Sequence, residues 1–266
     1  MMLLADPFTK ALRDARRGLL GWAVGVGAVA LMYAAFYPSI SKPAFAQALE
    51  NYPESLKRAF NLQDITSPAG YLGSYVFGLL VPVLLVVFTV ITGSRAIAGD
   101  EESGVLDLIL AHPVSRTRLL LSRLGALAVE VVLICAVVYL LLVAIAGPAK
   151  LASIGAGHLA AASAQLALFG LVFATLATAV GAATGKRAAA VAVTAVVAVA
   201  GYFANNLAPQ VAGLHWAQKL SPFYWYTAGQ PLRHGLQLGW CALLLGVSAL
   251  LTAAAVTALA RRDLAT

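Results

Sequence analysis

Six long, almost purely apolar runs separated by short polar segments set the frame of this 266-residue chain. They cover about residues 19–37, 71–91, 119–146, 159–183, 188–208 and 236–260. A helix needs about 20 such residues to cross the hydrocarbon core of a bilayer. The pattern therefore predicts an all-α integral membrane protein with six transmembrane helices, folded as one membrane domain over residues 1–266. The third run is long enough to tilt or to project into water.

The segments between the runs carry their own signals. Upstream of the first, Asp6 and Pro7 fit a helix cap and a first helical position. Phe8, Ala11, Leu12, Ala15 and Leu19 then recur at helical spacing, with Lys10, Arg13, Asp14, Arg16 and Arg17 between them. This predicts an N-terminal amphipathic interfacial helix on the inner leaflet before the chain turns into the membrane. The segment Pro38 to Gly70 has room for one or two short helices, with Leu49, Leu56, Ala59, Phe60 and Leu62 as buried positions. Thr184-Gly-Lys-Arg187 is minimal, so the fourth and fifth spans should form a tight hairpin. Leu220-Ser-Pro-Phe-Tyr-Trp-Tyr226 reads as an interfacial aromatic belt or a re-entrant element.

Between the second and third runs, residues 99–123 read GDEESGVLDLILAHPVSRTRLLLSR. Gly99 and Gly104 bracket three acids, Val105 to Ala111 are good helix formers, and Pro113 disfavours helix at His112. A short cytoplasmic helix is expected over about 105–112, roughly two turns and on the order of 12 Å long. Ser115 would cap the third span. A leucine-rich helix held at the cytoplasmic side needs a cover, which makes it a docking peg. Composition alone fits a helix lying against the headgroups equally well.

Composition and charge narrow the class. The chain is 61% hydrophobic and 11% charged, against about 25% charged residues in a soluble domain. With the N-terminus inside, twelve of the 18 lysines and arginines fall on inner segments and six on outer ones. Basic residues favour the cytoplasmic side of short loops, so both termini are expected in the cytoplasm of a multi-pass cell-membrane protein. The net charge of +7 is then topological. A nucleic-acid partner is not expected, since no basic patch is interleaved with aromatics on one soluble face. The apolar stretch after the basic N-terminus exceeds a typical signal-peptide core, so the first span should remain as an anchor. Cys135 and Cys241 lie inside spans and read as packing residues.

No enzyme chemistry emerges. Gly181-Ala-Ala-Thr-Gly-Lys-Arg187 has one residue too few for a phosphate loop, and Arg187 stands where Ser or Thr should hold magnesium. His112, His158, His215 and His234 form no HExxH pair. The Glu101-Glu102 pair lies outside the membrane. No catalytic residue, metal or cofactor of the chain's own is expected.

Polar residues inside the spans are few. Glu130 lies in the third, where an ionised group at the bilayer centre costs roughly 2.5 to 3.5 kcal/mol. It should therefore have a partner, Arg95 first among them. A structural pair weighs more than a proton or cation site. Gln165, Asn205 and Asn206 read as interhelix hydrogen bonders, with lining of a path as the sharper alternative. Pro82 predicts a kink in the second span. Small residues from Thr175 to Gly185 permit close helix packing. So few charges in the spans favour an amphiphilic or hydrophobic cargo.

The wording of the link gives these readings a common frame. Ile97 to Arg116, IAGDEESGVLDLILAHPVSR, resembles the cytoplasmic link of ABC-2-type permeases, the membrane subunits of a class of ATP-binding-cassette exporters. Val105 stands where Thr is commoner in that family, and Ile109 falls within its leucine run. Thr66-Ser-Pro-Ala-Gly-Tyr-Leu72, Leu220-Ser-Pro-Phe223 and Arg261-Arg-Asp-Leu264 are similar to further family segments. The resemblance implies two permease subunits, alike or different, around a central path. Each would sit on a separate nucleotide-binding ATPase carrying ATP and magnesium, whose closure pushes on the short coupling helix. The positions it assigns to ATPase coupling are Glu101, Glu102, Gly104, Val105, Leu106, Leu108, Ile109, Pro113, Ser115 and Arg116. On the residues alone, an ion-coupled secondary transporter and a non-transporting membrane scaffold stand beside this reading.

Overall fold

The computed structural model of the chain describes residues 7–42, 64–106, 115–211 and 213–262. In chain order the elements are α1 (Pro7–Ile40), α2 (Pro68–Arg95), α3 (Ala98–Glu102), α4 (Arg116–Ile145), α5 (Ala156–Thr184), α6 (Arg187–Leu207), α7 (His215–Gln218), α8 (Pro222–Thr227), α9 (Pro231–His234) and α10 (Leu238–Arg261). As the hydrophobic pattern predicts, six of them, α1, α2, α4, α5, α6 and α10, are long and apolar enough to cross a membrane. Residues 107–114, and with them most of the expected coupling helix, lie outside the described residues, as do the short helices expected over 43–63.

α5 forms the centre of the bundle, packed against α2, α4, α6 and α10. Its glycines and alanines let neighbouring backbones approach, which is how helices pack where no hydrophobic force separates protein from lipid. At the crossing with α2, a Cβ on Gly93 would lie 2.9 Å from the Ala174 carbonyl oxygen and 3.0 Å from the Ala177 Cβ. Thr178 shares that contact, donating its hydroxyl to Ala174 at 2.9 Å within α5 and to Gly93 at 3.4 Å. One turn further along, Gly170 receives Leu85, whose Cδ2 would stand 2.8 Å from an added Cβ.

The N-terminal helix is present, and it runs without a turn into the first span as one helix of 34 residues. Gly18 and Gly21 are the weak helix formers at that junction, and a glycine costs about 1 kcal/mol without stopping a helix. The expected stripe of Phe8, Ala11, Leu12, Ala15 and Leu19 is partly covered, while Lys10, Arg13, Asp14, Arg16 and Arg17 are exposed. Part of that cover is protein, since the Phe8 ring lies against Gly125 of α4.

The irregularity expected around Pro82 takes the form of a π-helical stretch, Leu72–Leu80, immediately before it. Pro82 has no N–H to donate, so an α-helical ladder is interrupted there. The Val81 N–H bonds back to Val76 in the wider π pattern. The α5–α6 hairpin is as tight as the sequence implies: Gly185 adopts a left-handed conformation with φ +65° and its N–H closes on the Gly181 carbonyl at 2.8 Å. Both cysteines are free and buried.

The α2–α5 crossing yields a direct test. Gly93→Val forces a branched side chain onto the Ala174 backbone and should cost about 1–3 kcal/mol by overpacking. It is expected to appear as a lowered unfolding midpoint in mild detergent.

Candidate functional site

Charged side chains converge at the end of the bundle where residues 7 and 262 lie, here called the terminal end. The centre of this network is α3, a helix of 5 residues. Successive residues on a helix point about 100° apart, so Asp100, Glu101 and Glu102 face three neighbours. Asp100 pairs with Arg123 of α4. Glu101 pairs with Arg262, just past α10. Glu102 accepts from the Arg187 backbone N–H, at the start of α6, at 2.7 Å.

Each of these contacts also closes a helix end. The first N–H groups and last carbonyls of a helix lack partners within it, and the macrodipole favours anions at the start and cations at the finish. Glu102 supplies the start of α6, where Lys186 makes no side-chain cap bond. Arg123 also donates to the Ala96 carbonyl at the finish of α2. Arg262 donates to the Ala182 carbonyl in the last turn of α5 at 2.9 Å. Arg116 donates to the carbonyls of Leu259 at 3.2 Å and Arg262 at 2.7 Å, at the finish of α10. Ser115 caps α4 as the sequence predicts, accepting from the Arg118 N–H at 3.2 Å.

The ion pairs are sheltered, with side chains 19% and 26% exposed in Arg123–Asp100 and 23% and 21% in Arg262–Glu101. Pairs this covered are less screened than fully exposed surface pairs. Gly185 makes room for the second: a Cβ there would collide with an Arg262 nitrogen and lie 2.6 Å from Glu101 Oε1. Beneath the network Leu106 is 2% exposed, in a cluster with Ile97, Leu119, Leu120, Leu124, Ala255 and Leu259.

The positions assigned to coupling therefore divide. Glu101, Glu102, Leu106, Ser115 and Arg116 are engaged within the chain, whereas Val105 is 40% exposed beside Gly104, whose φ of +68° turns the chain. Leu108, Ile109 and Pro113 lie outside the described residues. Asp100, Arg123 and Arg262 were not expected among the site residues. Their signal in the sequence is the unbroken acidic triplet, which on any helix needs three separate partners.

The polar residues in the spans fall out differently from the sequence expectation. Glu130 is 5% exposed and makes no ion pair or hydrogen bond among the described residues, and Arg95, its expected partner, is exposed at the terminal end of α2. Arg123, the basic residue nearest in sequence on the same helix, is already engaged by Asp100 and Ala96. Gln165 does join two elements, donating from α5 to the Tyr226 carbonyl at 3.1 Å and the Trp225 carbonyl at 3.4 Å. Asn206 instead bonds back to Tyr202 within α6 at 2.9 Å. The Asn205 side-chain oxygen is buried with no partner among the described residues.

Two cavities flank the bundle. A groove of about 410 Å³ runs between α2 and α6, lined by Val83, Val87, Val90, Val191, Val199 and Tyr202, with Phe223 of α8 beside Tyr202. Its lining is almost wholly apolar. At the end opposite the terminal one, a polar cleft of about 380 Å³ is bounded by Ser67, Ser153, His158, Asp64 and Arg233, the last two forming an ion pair. The aromatic segment before α10 is tucked inward here as a short helix, with Pro222, Phe223 and Tyr226 buried. No group of three metal-ligating side chains occurs among the described residues.

The family model described as ABC-2 family transporter protein matches residues 8–238 of the chain. No curated protein sequence matches it.

Arg262→Ala should lower stability by about 1.5–3 kcal/mol, the range for hydrogen bonds to charged groups. Arg262→Lys should recover only part of that loss, since an ammonium lacks the planar fork that reaches Ala182 and Glu101 together. Both are read as unfolding midpoints in detergent. By contrast Glu130→Gln removes no ion pair and is expected to leave the midpoint unchanged.

Proposed function

Since the chain belongs to the ABC-2 family of transporter proteins, we propose that it is the permease subunit of an ATP-driven exporter whose energy enters through the segment after α3. The architecture of six apolar helices and the family together support an ABC transporter permease subunit. ATP and magnesium are held, in this reading, by a separate nucleotide-binding ATPase seated at the terminal end, in the cytoplasm. A second permease subunit completes the path across the cell membrane. Both termini are cytoplasmic by the distribution of basic residues.

One observation carries the coupling role: the acidic triplet ties the start of the link to α4, to the start of α6 and to the finish of α10 at once. A displacement of residues 105–112 by closing ATPases is delivered through α3 to three spans, and through Arg262 to α5. A flexible tether would absorb the same motion. Leu106, buried beneath the network, keeps the link attached to the bundle as it is pushed. The exposed Val105 is left to meet the partner.

The apolar lining of the groove supports the cargo class. It offers an apolar molecule burial and a strongly charged one no partner. Hydrophobic or amphiphilic compounds are therefore the favoured cargo, with export as the direction that the family resemblance implies.

The test is assembly with the ATPase. A Walker A protein encoded in an adjacent reading frame should co-purify with the chain, and Val105→Asp with Leu108→Asp should abolish that co-purification while leaving the unfolding midpoint of the permease intact. A complex that survives both substitutions overturns the docking site. Leu106→Asp is unsuited to this test, because it places a charge in the chain's own core.

A further inference from the structure

The exposed side of α1 changes its chemistry along its length. In the first turns it carries Lys10, Arg13, Arg16 and Arg17, all exposed and none in an ion pair among the described residues. Against these four cations stands the single acid of that stretch, Asp14, which leaves a surplus of three positive charges. Beyond Arg17 the helix surface turns apolar and small. Leu20 and Val24 are 66% and 69% exposed, and an added Cβ on Gly18, Gly21 or Gly25 would meet nothing within 4 Å. At about 100° per residue, Lys10, Arg13, Arg17, Gly21, Val24 and Ala28 fall within about 80° of one another around the axis. Cations and glycines thus follow each other on one face.

The glycines form the floor of a shallow channel. Leu20 and Val24 border it on one side, and on the other stands Trp22, half-buried with its ring against Phe88 of α2 at a centroid distance of 5.6 Å. A floor without side chains lets a chain of methylenes lie close to the helix backbone. Lys10 to Arg17 cover about 10 Å of helix, against a headgroup layer of roughly 5–7 Å on each side of the hydrocarbon. Long basic side chains reach that layer with their stems along apolar surface and their charges in water. The two parts of the face therefore suit the two parts of one lipid molecule.

We infer that this face of α1 is a seat for an anionic phospholipid of the leaflet at the terminal end. Lys10, Arg13 and Arg17 take its phosphate and negatively charged headgroup, and the glycine channel takes an acyl chain. A zwitterionic lipid would leave the positive surplus unanswered. An acidic protein surface fits less well, because it would meet the cations and leave the channel below them to lipid.

Trp22 borders the channel and supplies the readout. The full chain is placed in phosphatidylcholine nanodiscs holding increasing fractions of either brominated phosphatidylglycerol or brominated phosphatidylcholine, and the quenching lost in Trp22→Phe is assigned to Trp22. Brominated phosphatidylglycerol should quench Trp22 saturably and at lower fractions than the zwitterionic lipid. A basic residue beside a span contributes roughly fivefold to the attraction of anionic lipid, so Arg17→Gln should cut the preference about fivefold and Arg13→Gln with Arg17→Gln further. Both positions are exposed and Gln is a good helix former, so the unfolding midpoint should hold. Gly21→Leu with Gly25→Leu, which fills the channel, should reduce quenching by both lipids. High salt, which needs no substitution, should shrink the preference by screening. Equal quenching by the two lipids, a preference indifferent to salt, or one unchanged by the arginine substitutions overturns the seat. If the arginine variant keeps its lipid preference and instead loses co-purification with the ATPase, the cations serve a protein surface and the lipid assignment fails.

Discussion

A helix turns about 100° with each residue, so three adjacent acids on one helix cannot share a partner. Most of the terminal end is arranged around that constraint. Asp100, Glu101 and Glu102 reach α4, the finish of α10 and the start of α6, and the arginines that answer two of them go on to close the ends of α2 and α5. Each contact thus does two things: it neutralises a charge, and it satisfies backbone groups that a helix leaves open at its ends. Arginine suits this double task because its planar fork can hold a carboxylate and a carbonyl together. Gly185 is part of the same constraint, since any side chain there would occupy the space of the Arg262–Glu101 pair.

The opposite end is held by different means. There the contacts are aromatic rings, a few hydrogen bonds to backbone carbonyls and the Asp64–Arg233 pair at the edge of the cleft. Between the two ends, α5 is pressed against α2 through Gly93 and Gly170 and passes directly from Ala182, held by Arg262, to Gln165, which holds α8. A close-packed helix moves as a unit more readily than it bends. The two ends of the molecule are therefore joined by one continuous element whose terminal anchor is ionic and whose opposite contact is a hydrogen-bonded seam.

Much of this was legible in the sequence, and the exceptions have physical causes. The six spans were readable because hydrophobic length is the dominant signal for crossing a bilayer, and the hairpin at Gly185 and the Ser115 cap because turn and cap chemistry is local. The break expected between the interfacial helix and the first span was not found: an amphipathic stripe and an apolar run can share one uninterrupted helix when neither Pro nor a cap separates them. The pairing of Glu130 with Arg95 failed because opposite charge in neighbouring spans says nothing of depth or facing, and the terminal-end pairing went instead to Asp100 and Arg123. Arg262 was read only as part of a terminal motif, since its role depends on an approach between residues 101 and 262 that no local pattern encodes. Gln165 was correctly read as an interhelix bonder, but the partner carbonyls belong to a short helix that the aromatic cluster only outlined.

The unbroken α1 fixes where the membrane can lie along the molecule. At 34 residues and 1.5 Å per residue it spans about 51 Å, against about 30 Å of hydrocarbon. The surplus is close to the stretch that carries Lys10, Arg13, Arg16 and Arg17, all exposed. A helix this stiff, lying beside α4 at Phe8 and Gly125, works as a depth gauge: its charged length cannot enter the lipid and its apolar length cannot leave it. The terminal-end network, built on the neighbouring helix only two residues from Gly125 at Arg123, is thereby held at the height of the headgroups, where water and hydrocarbon meet.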